Sequence, residues 1–201
     1  MKCVTARNKL SQRSAQRGYT IVELMMAIAV FAIGVSGIIA MQKVAAAANQ
    51  HSRALSVATN IAQTWQDQLN ADASLYTERN PLANTQLLSQ AINFNNVWHL
   101  PSDNTNLNLG AAFDAMGNPL LGNAAANAQF CVHVRLTHLN NYPNLTSLDV
   151  IRTEIRVFWP RTDANLSSPF CVVGGMTEAQ VEQATTSFHF VHQVSAVRQL
   201  P

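Results

Sequence analysis

From Leu24 through Gln42 the chain carries no charged residue, and no other stretch restricts its fold as much. Ahead of it lie five basic residues, Lys2, Arg7, Lys9, Arg13 and Arg17, with no acid among them. The 24 residues from Tyr19 to Gln42 would rise roughly 36 Å as a helix, more than the ~30 Å hydrocarbon core of a bilayer. The run is long enough to cross a membrane. The basic residues hold their own end in the cytoplasm, which sends the longer C-terminal part to the far side.

One carboxylate, Glu23, stands at the start of this run. A charge there costs up to about 2.5 to 3.5 kcal/mol near the membrane centre and less near an interface, so it calls for a partner. The run itself supplies no cation. A cut between Gly18 and Tyr19 would supply one, as a new α-amine. In these features the chain resembles the type IV prepilins: a basic leader ending in Gly, a cleavage point before an aromatic residue, Glu at the fifth position after it, then a hydrophobic helix. The resemblance implies cleavage by a prepilin peptidase after Gly18, N-methylation of Tyr19, and a role for Glu23 in assembly. A secretory signal peptide is the rival reading, with small-residue sites at Ala45 to Ala48 beyond the apolar region. The basic leader ending in Arg17-Gly18 favours the prepilin pattern.

Composition is clearer once the leader is set aside. The 201 residues would become 183, enough for one long helix and one modest domain. Of 13 basic residues five lie in the leader, which leaves 8 against 11 acids and a net charge of −3 with His neutral. Nothing in that balance points to nucleic acid. Of the three cysteines, Cys3 lies in the leader, and Cys131 and Cys171 remain as a pair. In an exported domain they are expected to form a disulfide, which would stabilise by ~4 kcal/mol in the chain-entropy model. Two buried free thiols are the alternative.

No proline occurs before Pro81, so one helix is expected from Tyr19 to about Asn70. Val44, Ala48, His51, Leu55, Ala58, Ala62, Trp65 and Leu69 recur four and three apart, with Ile61 just beside them. Such a stripe lays one helix face on a globular domain or, at the same spacing, forms a coiled coil. Gly34 and Gly37 cost roughly 1 kcal/mol each relative to Ala, and are either contact points, points of local melting or merely tolerated. Ala32-Ile33-Gly34, Gly37, Met41-Gln42, Ile61-Ala62 and Gln66-Asp67-Gln68-Leu69 together resemble the PilV-type minor pilins, the type IV pilus modification proteins. Two departures stand out: Tyr19 replaces the usual phenylalanine, and the midspan proline of many major pilins is missing near Ala40.

Residues 71 to 128 are rich in Asn and broken by Pro81, Pro101, Gly110, Gly117, Pro119 and Gly122, so they read mostly as loop. A short helix is expected within Thr85 to Phe94, with Leu87, Leu88, Ala91 and Phe94 on one side. The resemblance implies that this connection carries subunit contacts. Beyond it, Phe130, Val132, Val134 and Leu136 alternate with Cys131, His133 and Arg135, and Ile151, Ile155, Val157 and Trp159 alternate with Arg152, Glu154 and Arg156. Both read as strands with one apolar and one mostly polar face. A third strand within Thr185 to Val197 places Phe188, Phe190 and Val194 together, with His192 among them. On this parity a Cys131–Cys171 disulfide clamps a flanking loop, with Cys171 near Pro169 and Gly174-Gly175. Met176 to Ala184 is expected to hold a turn or two of helix, capped by Thr177.

The expected fold is therefore α+β and pilin-like: leader 1–18, long helix 19–70, and head 71–201 with a small antiparallel sheet of undetermined strand order. No metal site is expected, since His189 and His192, three apart on a strand, point to opposite faces, as do His133 and His138. No phosphate loop or nucleophile motif suggests an enzyme, and no cofactor is implied. Asn144-Leu145-Thr146 and Asn165-Leu166-Ser167 match the glycosylation pattern without further support. The resemblance implies a minor subunit of a type IV pilus, or fimbrium, that primes assembly or modifies the tip. Its partners would be other pilin subunits, the prepilin peptidase and the bacterial inner membrane, where the precursor resides before joining a periplasm-facing or cell-surface pilus. A type II secretion pseudopilin shares every N-terminal feature, and an uncleaved bitopic binding protein is the reading from another class.

Overall fold

The structure is a computed structural model that describes residues 18–77, 79–139, 150–161, 169–172, 176 and 178–200. The leader ahead of Gly18, both glycosylation triplets, Gly174-Gly175 and the proposed cap Thr177 lie outside the described residues. Helix α1 runs Ile21–Ala73, three residues past the expected end. Its length follows from the lack of any proline, and its last turn tightens as Ser74, Leu75 and Tyr76 donate to the carbonyls of Ala71, Asp72 and Ala73. The chain divides into two compact units between Asn49 and Gln50, within this helix.

In the first unit the helix is exposed nearly all round, as an apolar helix is without lipid or a partner. In the second unit Ala58, Ile61, Ala62, Trp65, Leu69 and Ala73 are buried, with Ala54 and Val57 half-buried at the margin. This corrects the expected stripe in two respects. Ile61 is a core residue rather than a neighbour of the core, and Leu55 stays 43% exposed, as do Val44, Ala48 and His51 to varying degrees. The packed face turns toward Ile61 because Ala54, Ala58, Ile61, Trp65 and Leu69 follow the 3.6-residue helical repeat more closely than a strict heptad does.

The sheet has five antiparallel strands in the order β2-β1-β3-β4-β5, with β1 Ala112–Phe113, β2 Pro119–Leu120, β3 Phe130–His138, β4 Val150–Pro160 and β5 Phe188–Arg198. The three long strands are those read from alternation; β1 and β2 are two-residue strands inside the stretch read as loop. The turn joining them packs on α1. There Gly117, at φ +86°, brings its Cα so close that an added Cβ would lie 3.2 Å from Val57 Cγ1. One sheet face carries Phe130, Val132, Val134, Leu136, Ile151, Ile155, Val157, Trp159 and Val197 into the core under α1.

The opposite face is not simply polar, which is a second correction. Ala111, Ala112, Cys131, Phe158, Phe170, Cys171, Val181 and Phe188 form a separate core there, beneath α2 (Glu178–Gln183) and the segment around Cys171. Cys131 and Cys171 form a disulfide with Cα atoms 5.4 Å apart, and both are buried within this core rather than at a loop surface. Phe188, Phe190 and Val194 share that face, as expected; Val191 and Val197 point the other way, toward α1. The short helix expected within Thr85 to Phe94 is a 3-10 helix at Leu88–Ile92 that buries Leu87, Leu88 and Ala91. Phe94 is exposed instead, stacked on His99 with ring centroids 4.6 Å apart.

Asp72 ties this segment to the end of α1. One carboxylate oxygen accepts the N–H of Gln86 and the other accepts those of Leu87 and Leu88, all at 2.8 Å, and the residue is buried. Charge-assisted bonds to unpaired backbone donors are among the stronger ones in proteins, and leaving such donors buried and unmatched is costly. Asp72→Ala is expected to lower the unfolding free energy by about 3 kcal/mol, and Asp72→Asn by less. Denaturant unfolding of the full chain in detergent, followed by the fluorescence of buried Trp65, measures the difference.

Candidate functional site

Gly18, Tyr19 and Thr20 lie ahead of α1 without regular structure, and Tyr19 is 84% exposed. The proposed cleavage bond, between Gly18 and Tyr19, thus sits outside the helix. Thr20 acts as the helix N-cap: its Oγ1 accepts the N–H of Glu23 at 3.3 Å, and its carbonyl accepts the N–H of Leu24 at 3.1 Å. Thr20 and Glu23 hold the first and fourth positions of a capping box, a signal present in the sequence and missed in reading it. Glu23 therefore lies in the first turn of α1, where the helix dipole favours a negative charge. Among the described residues no basic side chain forms an ion pair with Glu23.

Past Glu23 the helix is apolar and long enough to cross a membrane, and none of its most apolar window is buried. Ile28, Phe31, Ile33, Ile38 and Met41 are all exposed in the single chain. Gly34 and Gly37 have open space where a Cβ would stand. A helix of this kind needs lipid or other helices around it.

The head holds a charged network that sequence reasoning did not identify. Glu154 on β4 is 1% exposed. It accepts bonds from Arg135 Nε and Arg152 Nη2, both at 2.5 Å, and His192 Nε2 lies 3.7 Å away. Burial pushes the Glu154 carboxyl up, but the two guanidiniums outweigh it and hold the pKa below the ordinary glutamate value. Arg156 sits beside it, 3.3 Å from Glu182 of α2, and the guanidiniums of Arg135 and Arg156 lie 4.7 and 4.5 Å from the centre of the Trp98 ring. Arg156 Nη2 also donates to His133 Nδ1 at 3.2 Å, so His133 is neutral with its proton on Nε2. The network fastens the Trp98 segment and α2 to the sheet.

His189 and His192 lie on opposite faces of β5. The His189 ring is 5.4 Å from Trp159 and 4.6 Å from His51, whereas His192 lies beside Glu154 and Trp98. His133 and His138 likewise fall on different faces of β3. Among the described residues no group of three or more His, Cys, Asp or Glu is arranged to hold a metal ion.

Residues 13–39 match the family model described as the prokaryotic N-terminal methylation motif. The match takes in Gly18, Tyr19, Glu23, Gly34 and Gly37, ends within the apolar run, and indicates a type IV prepilin-like protein. Together with the apolar helix it agrees with anchoring in a membrane. No curated protein and no solved structure matches the chain.

The buried histidine makes the head sensitive to pH. Burial first, then the charges of Arg156 and His99, lower the His133 pKa to about 3, whereas an unfolded chain binds that proton near 6.5. Stability is therefore full above about pH 6.5 and falls as the pH drops toward 3, because only the unfolded state gains the proton. Between pH 7.5 and pH 5 this group alone removes about 2 kcal/mol. Glu154 adds a loss in the same direction below its unfolded value, and His99, lowered mainly by burial, does so as well. Unfolding titrations at the two pH values should show that His133→Gln reduces this dependence.

Proposed function

We propose that the chain is a minor structural subunit of a type IV pilus, processed by prepilin peptidase between Gly18 and Tyr19, with a part in assembly or tip modification. The observation that carries this reading is the methylation-motif match across Gly18, Tyr19 and Glu23, in a helix that leads directly into an α+β head. Hydrolysis of the Gly18–Tyr19 peptide bond creates a cationic amine four residues before Glu23. That amine stands at the helix end where the dipole disfavours a cation, so a carboxylate partner is needed. Glu23 of the same or a neighbouring subunit supplies it. The pairing gains strength where lipid or neighbouring helices exclude water.

The apolar run serves twice in this mechanism, first in the inner membrane and then against the helices of other pilin subunits. The reading assigns the protein no enzymatic reaction and no nucleic-acid partner. The PilV-type resemblance of residues 32 to 69 supports the minor rather than the major subunit. After processing the head faces the periplasm or the cell surface.

Intact mass and N-terminal sequence, taken from cells with and without prepilin peptidase, test the processing step. A chain starting at Tyr19 only where the peptidase is present, with or without an added methyl, is the expected outcome. An intact leader in both strains would overturn it and leave a bitopic anchored protein. Recovery of the mature chain in sheared surface pili separates a pilus subunit from a secretion pseudopilin. Glu23→Ala is expected to insert and be cleaved normally, while its recovery in filaments falls at least tenfold; unchanged incorporation would remove Glu23 from assembly.

A further inference from the structure

β5 is an edge strand, and the register shows which of its backbone groups are free to pair. Arg161 N–H donates to the Ser187 carbonyl at 2.9 Å, and the same alignment continues through Trp159↔His189, Val157↔Val191 and Ile155↔Gln193. Bonded pairs recur at every second residue of an antiparallel ladder. The odd-numbered residues of β5 therefore bond β4, and the even-numbered residues turn their N–H and C=O outward. At both ends these outward groups are occupied. Phe188 O accepts from Arg161 Nε at 3.4 Å, and Leu200 N–H donates to Tyr76 O at 2.9 Å. Between them, among the described residues, the outward groups of Phe190, His192, Val194 and Ala196 have no backbone partner.

Edges of this length are normally blunted by a charge, a proline, a bulge or a covering segment. Apart from Arg198 at its end, β5 uses none of the first three. Phe188 to Val197 contains no Lys, Arg, Asp, Glu, Gly or Pro, and its register with β4 runs without a break. Nor does any of the described residues cover the middle of the strand: Val194 is 54% exposed, and His192 and Ala196 are exposed beside it. An open, neutral, regular edge is a template for another strand.

We infer that this edge receives an extended segment of a different protein chain, added to the sheet as a sixth strand through backbone hydrogen bonds. A second copy of this chain fits poorly. Its own β5 holds no Asp or Glu, so an antiparallel self-pair brings no carboxylate to the exposed Arg152 and Arg198 beside this edge. A two-fold along the strands instead sets identical residues level, so the outward groups of both copies meet rather than interleave as a parallel ladder requires.

The incoming strand is specified by what borders the edge. Alternate apolar residues would lie beside Phe190 and Val194. An acidic residue is favoured near Ala196, whose small side chain leaves its cross-strand neighbour Arg152 44% exposed, with Arg198 two residues further on. The inference goes beyond the pilus reading and applies equally to any membrane-anchored chain with this head.

A photoreactive benzophenone side chain installed at position 194 of the full chain, in cells that produce it, tests the edge directly. The expected product is an adduct whose mass differs from twice that of the chain. His192→Pro and Ala196→Pro remove outward N–H groups while sparing the bonds to β4, and each should cut the adduct at least tenfold in protein that still forms the Cys131–Cys171 disulfide. Amide hydrogen exchange supplies a second reading that needs no variant: His192, Val194 and Ala196 should exchange at least tenfold more slowly in native membranes than in the detergent-purified chain. An adduct of twice the chain mass, an adduct indifferent to both prolines, or equal exchange in the two preparations would overturn the proposal.

Discussion

A helix can be covered by lipid, by other helices or by its own domain, and each demands a different surface from it. Helix α1 meets these demands one after another in its sequence. Its first half presents apolar side chains in every direction, whereas its second half confines them to the face that contains Ala58, Ile61, Trp65 and Leu69. The sheet depends on that second half. Ile151, Ile155 and Val157 are fully buried in the core that this sheet face shares with the helix and with Leu87, Leu88 and Ala91. Removing such side chains from water contributes on the order of 1.5 to 3 kcal/mol apiece.

Much of this was legible because it rests on periodicity. The apolar run, the absence of proline and the alternation of β3 and β4 are one-dimensional signals, and α1, β3, β4 and β5 follow them. The short strands β1 and β2 left no comparable trace, since two residues cannot display a period. Their existence follows from pairing with each other and with β3 through Ala112 and Phe113. Around the cleavage point, Gly18, Tyr19 and Glu23 were readable as a pattern. The capping role of Thr20 was equally present in the sequence, in the Thr20-x-x-Glu23 spacing.

The second face of the sheet was the hidden part. Arg135, Arg152, Glu154 and Arg156 look like a solvated polar stripe until the register is known. Pairing Arg135 with Glu154 across β3 and β4, and laying Trp98 and α2 over them, turns an exposed stripe into a partly buried network centred on the buried Glu154. Such a network contributes little unless complete, because a charge left without its partner keeps the whole desolvation cost. Its main effect is therefore to hold the Trp98 segment and α2 in a unique arrangement over the sheet.

That covering also explains why β5 differs from its neighbours. Phe158 on β4 is enclosed by Phe170 and Phe188, with ring centroids 5.9 and 5.4 Å away, so the cover is thick at the Phe188 end of β5. It thins along the strand, and Val194 and Ala196 are left exposed. A sequence under pressure only to keep this head soluble would place a lysine or glutamate at one of those positions, at little cost on an exposed edge. The strand keeps the β-branched Val194 and the uncharged Ala196 there instead, and a β-branched side chain packs well against an added strand. The composition of β5 therefore agrees better with a paired edge than with a bare one.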